Sequence, residues 1–561
     1  MNDQNTITPV HRFLHWEQTQ PDAIFLTEPR PDGSVVDFTW KQVADQARRM
    51  AAYLQSLELP AGSSIGIVGK NSSHWIMADL AIWMAGHVSV PIYVTISATN
   101  ARYILDHCNV RLLFVGKLDG KTDSWNEIRR IVPTEVPMVG MPMSPFPLPL
   151  EWDVLTGMHE PLQAVHLPDA ADLATIIYTS GTTGMPKGVM HSFGTMGMYS
   201  KLSGEYCKIT PADRMLSYLP LAHAAERAFV ETHAICQGLH LYFNDCLETF
   251  AADLRRARPT LFISMPRLWT KFYQAVCAKV PLDKQKLLFA LPASSDRTKK
   301  EILEMLGLDA VRIAFTGSAP LPAEIISWYR ELGLELRDVY GMTENFCHSH
   351  VTQPGKVRLG YCGEPAPGID VRIGEGGEIL MKGATLMLGY YKQPELTAQS
   401  MTADGYFKTG DRGEEDKQRR LKITGRVKEI FKTSKGKYVA PAPIENRFAH
   451  PKVEAVCVTG PAYPQPFALL MLTADGRQEL KDPASREALV AELEELRKTV
   501  NEGLEDHEKL DYLVAIDEPW SVDNGFLTPS FKIRRSVIED RYLVRSQAWA
   551  ASGRGVVVEH G

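Results

Sequence analysis

Helix and strand signals alternate along the first half of this 561-residue chain, and that alternation constrains the fold more than any other feature. Thr39 and Gln42 have the spacing of a capping box. Behind them Trp40, Val43, Ala44, Ala47, Met50, Ala51, Leu54 and Leu57 recur at helical spacing. Pro60, Gly62 and Ser64 break that pattern. Ile65, Ile67 and Val68 then read as a short buried strand, and Ser72 or Ser73 as the cap of the next helix. The pattern predicts parallel sheets flanked by helices. Residues 75–94 are the most apolar stretch, but Asp79, Gly86, His87 and Pro91 suit a spanning helix badly. A buried helix followed by a strand is expected there. The proline-rich residues 133–149 read as an exposed connector.

From about Arg426 the pattern changes. Short strand-like runs at 455–458 and 468–473 surround a charged helix at 484–500, where Leu489, Leu493, Leu496 and Val500 share one face. This reads as a separate small α+β domain. The final residues, ASGRGVVVEHG, are expected to fray.

Lys and Arg number 61 against 67 Asp and Glu, a formal charge of −6. That balance argues against a protein that coats nucleic acid, which needs a concentrated basic surface. It leaves room for a local basic site for phosphates. The eight cysteines include no C-x-x-C pair, so neither a zinc site nor a redox dithiol is expected. Scattered free thiols fit a reducing cytosol. The amino-terminal residues show no basic segment followed by an apolar run, so no signal peptide is read. A cytoplasmic location is expected, with peripheral membrane contact and oligomeric state left open.

The most informative segment is residues 176–189, IIYTSGTTGMPKGV. An apolar strand enters a loop of hydroxyls and glycines, followed by a lysine. Gly181 and Gly184 let backbone N–H groups approach an anion, Thr179, Ser180, Thr182 and Thr183 add donors, and Lys187 adds a compact positive charge. By itself the cluster also reads as a mobile surface loop. It is not a P-loop, because a glycine, Gly188, follows the lysine where that motif needs Ser or Thr.

YTSGTTGMPKGV resembles the signature of adenylate-forming enzymes: acyl-CoA synthetases, luciferases and peptide-synthetase adenylation domains. Further motifs follow in that family's order, from about residue 38 to 540. LPLAHAAERAF at 219–229 is similar to the form in eukaryote-like long-chain acyl-CoA synthetases, and the resemblance places His223 near the acyl carboxylate. Alone, His223 reads as a core histidine, and Glu226 and Arg227 as a structural ion pair. FTGSAPL at 315–321 resembles the loop lining the adenine pocket, with Gly317, Ser318 and Ala319 facing the base. In DVYGMTE at 338–344 the resemblance puts Asp338, Tyr340 and Gly341 at adenine, with Tyr340 stacked on the ring. It makes Thr343 a donor to the α-phosphate and Glu344 a Mg²⁺ ligand.

TGD at 409–411 resembles the ribose clamp, with Asp411 accepting both hydroxyls, and Arg426 reaching ribose or phosphate. ITGRVKEI at 423–430 resembles the interdomain hinge, with Lys428 at the pivot. Lys437 closes a lysine run that reads as a solvated face or as a site for coenzyme A phosphates. LTPSFKIRR at 527–535 resembles the terminal catalytic motif, with Lys532 reaching the carboxylate and α-phosphate. Two departures stand out: Ser434-Lys435-Gly436-Lys437 lacks the usual Gly-Gly pair, and Asp416–Arg420 lacks the usual glycine turn.

The resemblance implies an α/β fold. It comprises a large amino-terminal domain of helix-flanked mixed sheets with a β-barrel-like subdomain (1–425), a small mobile α+β domain carrying the catalytic lysine (426–545), and a flexible tail (546–561). It further implies an ATP-dependent long-chain fatty acid–CoA ligase using ATP, Mg²⁺ and coenzyme A, with no nucleic-acid partner. The alternatives are an acyl-AMP ligase that loads a carrier protein and a CoA ligase for another acid.

Overall fold

The computed structural model describes residues 8–118, 129–179, 185–291, 295–319, 321–448, 450–522, 524–528 and 532–559. The chain divides into two compact units. One comprises Met1–Ala319, Ala323–Val371 and Met381–Phe407; the other comprises Pro320–Pro322, Arg372–Leu380 and Lys408–Gly561.

In the first unit the alternation read from the sequence becomes a helix-covered sheet. Helix Trp40–Ser56 starts in a capping box: the Thr39 hydroxyl accepts the Gln42 N–H, and the Gln42 side chain accepts the Thr39 N–H at 2.8 Å. Strand Ser64–Val68 lies between Val88–Ile92 and Leu112–Val115, both parallel to it, inside an eight-stranded sheet. Ser72 caps helix Ser73–Met84, whose every residue is buried. This helix packs on Trp40–Ser56 and against strands of two sheets, the eight-stranded one and a four-stranded one containing Ile24–Pro29. Being covered on all sides, it has no polar face to show. No helix among the described residues is long and apolar enough to cross a membrane, and the eight cysteines are free thiols.

Residues 133–149 are not an exposed connector. Met138–Gly140 is an inner strand of the eight-stranded sheet, parallel to Leu112–Val115 and to Leu150–Glu151, and Val139 is buried. Proline removes a donor but not an acceptor, so the Pro137 carbonyl still accepts the Leu113 N–H at 3.0 Å.

A five-stranded sheet sets up the ligand face. Leu261–Ser264, Ile313–Gly317 and Leu336–Tyr340 run parallel, followed by antiparallel His350–Val351 and Glu364–Pro365. In α/β sheets, ligands bind outside the carboxyl ends of parallel strands. Those ends here are Ser264, Gly317 and Tyr340.

The second unit has its own core. Val453–Thr459 pairs antiparallel with Phe467–Leu472, which continues in parallel to Leu513–Ile516 and then Val556–Glu559. Helix Pro483–Asn501 buries Leu489, Leu493, Leu496 and Val500, the face expected from their spacing. Residues 556–559 form a strand where fraying was expected. Val556–Glu559 completes the sheet, Trp549 Nε1 donates to Glu559 Oε2 at 2.7 Å, and Arg545 pairs with Glu559. A four-residue strand is too short to announce itself; its pairing partner supplies the order.

Candidate active site

The lysine of the phosphate motif stands at a strand end. Leu173–Thr179 and Lys187–Ser192 pair antiparallel, with Thr179 opposite Lys187 and Tyr178 opposite Gly188. Ser180, Gly181, Thr182, Thr183 and Gly184 lie outside the described residues. Gly188 is required by packing, since a Cβ there would sit 2.8 Å from Ile176 Cγ2 and 3.1 Å from the Tyr178 ring. On its other edge the Lys187–Ser192 strand pairs with Gly389–Tyr390, Tyr390 opposite Val189. The Lys187 ammonium lies 5.3 Å from the centroid of the Tyr390 ring.

The Thr343–Glu344 motif is a tight turn held from three sides. Asn345 Oδ1 accepts the Met342 N–H at 3.0 Å, and the Cys347 N–H returns to the Met342 carbonyl at 2.9 Å. The chain folds back so closely that a Cβ on Gly341 would lie 2.5–2.7 Å from backbone atoms of Cys347. His191 Nε2 donates to the Thr343 carbonyl at 2.8 Å, and the Met387 N–H donates to the Glu344 carbonyl at 2.8 Å. Burial pushes the His191 imidazole down to about 4, so it is neutral with its proton on Nε2. The Tyr390 hydroxyl donates to Glu344 Oε1 at 2.8 Å. Burial, reinforced by the Glu344 charge, pushes that hydroxyl's pKa up and keeps it a donor.

At the carboxyl ends of the parallel strands, Thr316 lies opposite Asp338 and Gly317 opposite Val339. Ser318 takes a left-handed φ of 70° as the chain leaves its strand toward Ala319. Asp338 is half-buried, and burial raises its carboxyl to about 7. The Tyr340 ring is 5.9 Å from His350 with a 43° tilt. Asp338, Tyr340, Gly341, Thr343 and Glu344 thus follow one another from strand end into turn, beside Gly317 and Ser318.

His223 precedes a π-helix, Glu226–Thr232, a rare element often found at functional sites. Its Nδ1 accepts the Ala225 N–H at 3.0 Å, which leaves the proton of the neutral ring on Nε2. Glu226 and Arg227 are both buried but are not partners, contrary to the ion pair read from the sequence. Glu226 Oε1 accepts from Ser217 Oγ at 2.7 Å, Asn71 Nδ2 at 3.2 Å and the Tyr218 N–H at 3.1 Å, and burial raises its carboxyl to about 8. Arg227 pairs with Asp79 at 2.7 Å and with Glu231 at 3.4 Å. Adjacent helical residues point apart, whereas residues four apart meet.

In the second unit Asp411 lies opposite Arg426 on paired strands, and Arg426 Nε contacts Asp411 Oδ1 at 3.1 Å. Lys428 is exposed in the turn that follows. Lys437 is exposed in a small hairpin, its carbonyl accepting the Thr433 N–H at 2.8 Å. Lys532 is exposed beside the Leu527–Ile533 bridge, its carbonyl accepting the Thr528 N–H at 2.8 Å. Arg535 is anchored to Glu445 at 2.8 Å and to the Val458 carbonyl at 2.6 Å, and lies 3.7 Å from Glu429.

The sequence model of the AMP-binding enzyme family matches residues 13–391, from the first helix through Tyr391. The chain belongs to this family. Among its curated relatives, the long-chain-fatty-acid–CoA ligase FadD15 of Mycobacterium bovis is 30% identical, covering 94% of each chain. The long-chain-fatty-acid–CoA ligase 5 of Rattus norvegicus is 28% identical, covering 89% of this chain and 82% of that protein. Among solved structures, the anthranilate CoA ligase AuaEII in complex with anthranoyl-AMP superposes with a TM-score of 0.77 at 20% identity, covering 98% of this chain and 99% of that one. The adenylation domain of a Mycobacterium chelonae carboxylate reductase gives 0.79 at 21%, covering 98% and 92%. The α/β adenylate-forming fold read from the motifs is therefore the fold of this AMP-binding enzyme.

Sequence reading of this AMP-binding enzyme missed the residues that hold the motifs in place. His191 and Tyr390 fasten the Thr343–Glu344 turn to the lysine strand, Asn345 caps the turn, and Arg535 anchors the segment after Lys532. Only Asn345 carried a local signal, an amide three residues past the N–H it caps. The others act through strand pairing or long-range contact, which spacing along the chain does not encode.

Proposed function

We propose that this AMP-binding enzyme is an ATP-dependent long-chain fatty acid–CoA ligase. The observation that carries the reading is the Lys187–Tyr390–Glu344 arrangement, which joins the motif's cation and carboxylate in one unit. The curated long-chain ligases that match over nearly the full chain support the substrate class.

In the first step a carboxylate oxygen attacks the α-phosphorus of ATP. The bond to the β-phosphate oxygen breaks, and acyl-AMP and pyrophosphate result. Positioning and charge stabilisation dominate such transfers. In this reading Tyr340 stacks on adenine, with Asp338, Gly317, Ser318 and Ala319 around it. The hydroxyl-rich loop and Lys187 hold the phosphates, Thr343 donates to the α-phosphate, and His223 lies beside the acyl carboxylate. Asp411 and Arg426 take the ribose. Lys532 neutralises charge as the carboxylate and α-phosphate meet.

Among the described residues no three His, Cys, Asp or Glu side chains gather as a metal site. A single carboxylate at Glu344 fits Mg²⁺, which binds through one or two carboxylates plus substrate phosphates and water. When bound, the ion supplies charge against the phosphate oxygens. In the second step the coenzyme A thiol attacks the acyl carbon and AMP leaves. Lys532 must withdraw first, so the small domain turns about Lys428, and Lys437 meets coenzyme A phosphates.

Pyrophosphate release across a chain-length series of acids, with and without coenzyme A, tests the reading. Long-chain acids are expected to give a burst alone and turnover with coenzyme A. Preference for aromatic acids, or transfer only to a carrier protein, would replace it.

A further inference from the structure

We propose that Tyr390 is a positioning residue that holds Lys187 and Glu344 at a set separation. It rests on the reading of those two as the phosphate cation and the metal-side carboxylate. Tyr390 is only 6% exposed and is fixed by backbone on both sides. It pairs with Val189 on the lysine strand, and its N–H donates to Thr397 Oγ1 at 2.9 Å. The flanking Met387 and Tyr391 N–H groups donate to the Glu344 and Gly188 carbonyls, each at 2.8 Å. From this frame one side chain serves two charges: the ring face meets the Lys187 ammonium, and the hydroxyl meets Glu344 Oε1.

The chemistry explains why a tyrosine suits the place. An ammonium and a carboxylate that meet the same side chain are drawn toward a direct ion pair, which would neutralise both charges needed by a bound triphosphate and its cation. The ring offers the ammonium a weaker partner that phosphate displaces easily. The hydroxyl engages one carboxylate oxygen and so fixes the plane of the group without discharging it.

Calorimetric ATP binding with and without Mg²⁺ tests this without relying on turnover. Tyr390→Phe keeps the ring and loses the hydroxyl. It is expected to bind ATP alone as wild type does, but to lose about tenfold of the affinity that Mg²⁺ adds. Tyr390→Leu is expected to weaken ATP binding in both conditions, with thermal melting as the check on folding. Glu344→Gln and the double variant with Tyr390→Phe are the controls, and the double is expected to be no worse than Glu344→Gln. A full Mg²⁺ gain in Tyr390→Phe, or additive losses in the double variant, overturns the role of Tyr390 alone. A full Mg²⁺ gain in Glu344→Gln overturns the assignment of Glu344 itself.

Discussion

Arg227 donates from Nη1 to Asp79 Oδ2 at 2.7 Å, across 148 residues of chain, with both side chains fully buried. Asp79 is the one charge in an otherwise apolar helix, and this contact accounts for it. Ser89 Oγ, 3.2 Å from Arg227 Nη2, ties the same guanidinium to the central sheet. The π-helix below His223 is thereby fixed to the core of the first unit.

Removing the cation leaves two buried carboxylates uncompensated. Arg227→Leu should cost about 3–5 kcal/mol in chemical denaturation. Glu226→Gln should be neutral or stabilising, because burial already favours the uncharged acid there. Equal losses in the two variants would mean that the partners of Arg227 have been misassigned.

Gly341→Ala puts a methyl group against the Cys347 backbone, which has no flexible end to move aside. The Thr343–Glu344 turn must open. Adenylate formation, read by pyrophosphate exchange, should fall at least about tenfold with a raised KM for ATP. Wild-type exchange would show that the turn tolerates the change.

Asp338 gives a pH dependence. Its carboxyl is raised from 3.8 to about 7 by burial, so between those pH values the native state holds a proton that the unfolded chain has released. Its contribution to stability is full below 3.8 and is lost as pH rises through about 7. Asp338→Asn should therefore gain on wild type as pH rises. We expect an advantage on the order of 2 kcal/mol at pH 8 over pH 4, below full linkage because the side chain is only half-buried. A constant difference across the range would contradict the shift.

Lys532→Ala should slow adenylate formation by about 10²-fold or more, yet leave thioester formation from supplied acyl-AMP within about threefold. Lys428→Pro should spare one half-reaction and not the other, since it fixes one backbone state at the proposed pivot. Equal loss of both half-reactions in Lys532→Ala would remove its assigned role, and unchanged turnover in Lys428→Pro would remove the hinge.

Local signals made parts of the molecule legible beforehand. The Thr39–Gln42 capping box, the buried helix after Ser72 and the Leu489–Val500 face each arise from residues within a few turns of one another, and each is found as read. The short strands Met138–Gly140 and Val556–Glu559 were misread as connector and tail, because three or four residues carry no period.

The candidate site divides in the same way. Its proposed reacting groups sit in contiguous motifs, so the order of residues along the chain was enough to propose Lys187, Thr343, Glu344 and Lys532 and to indicate an adenylate-forming fold. Their surroundings were decided only by folding. Strand pairing brings Tyr390 to the lysine strand, a backbone carbonyl selects the tautomer of His191, and burial sends Arg227 to Asp79 rather than to its neighbour Glu226. A motif records which groups the chemistry needs. The contacts that orient them join residues far apart in sequence, and those exist only once the sheets have assembled.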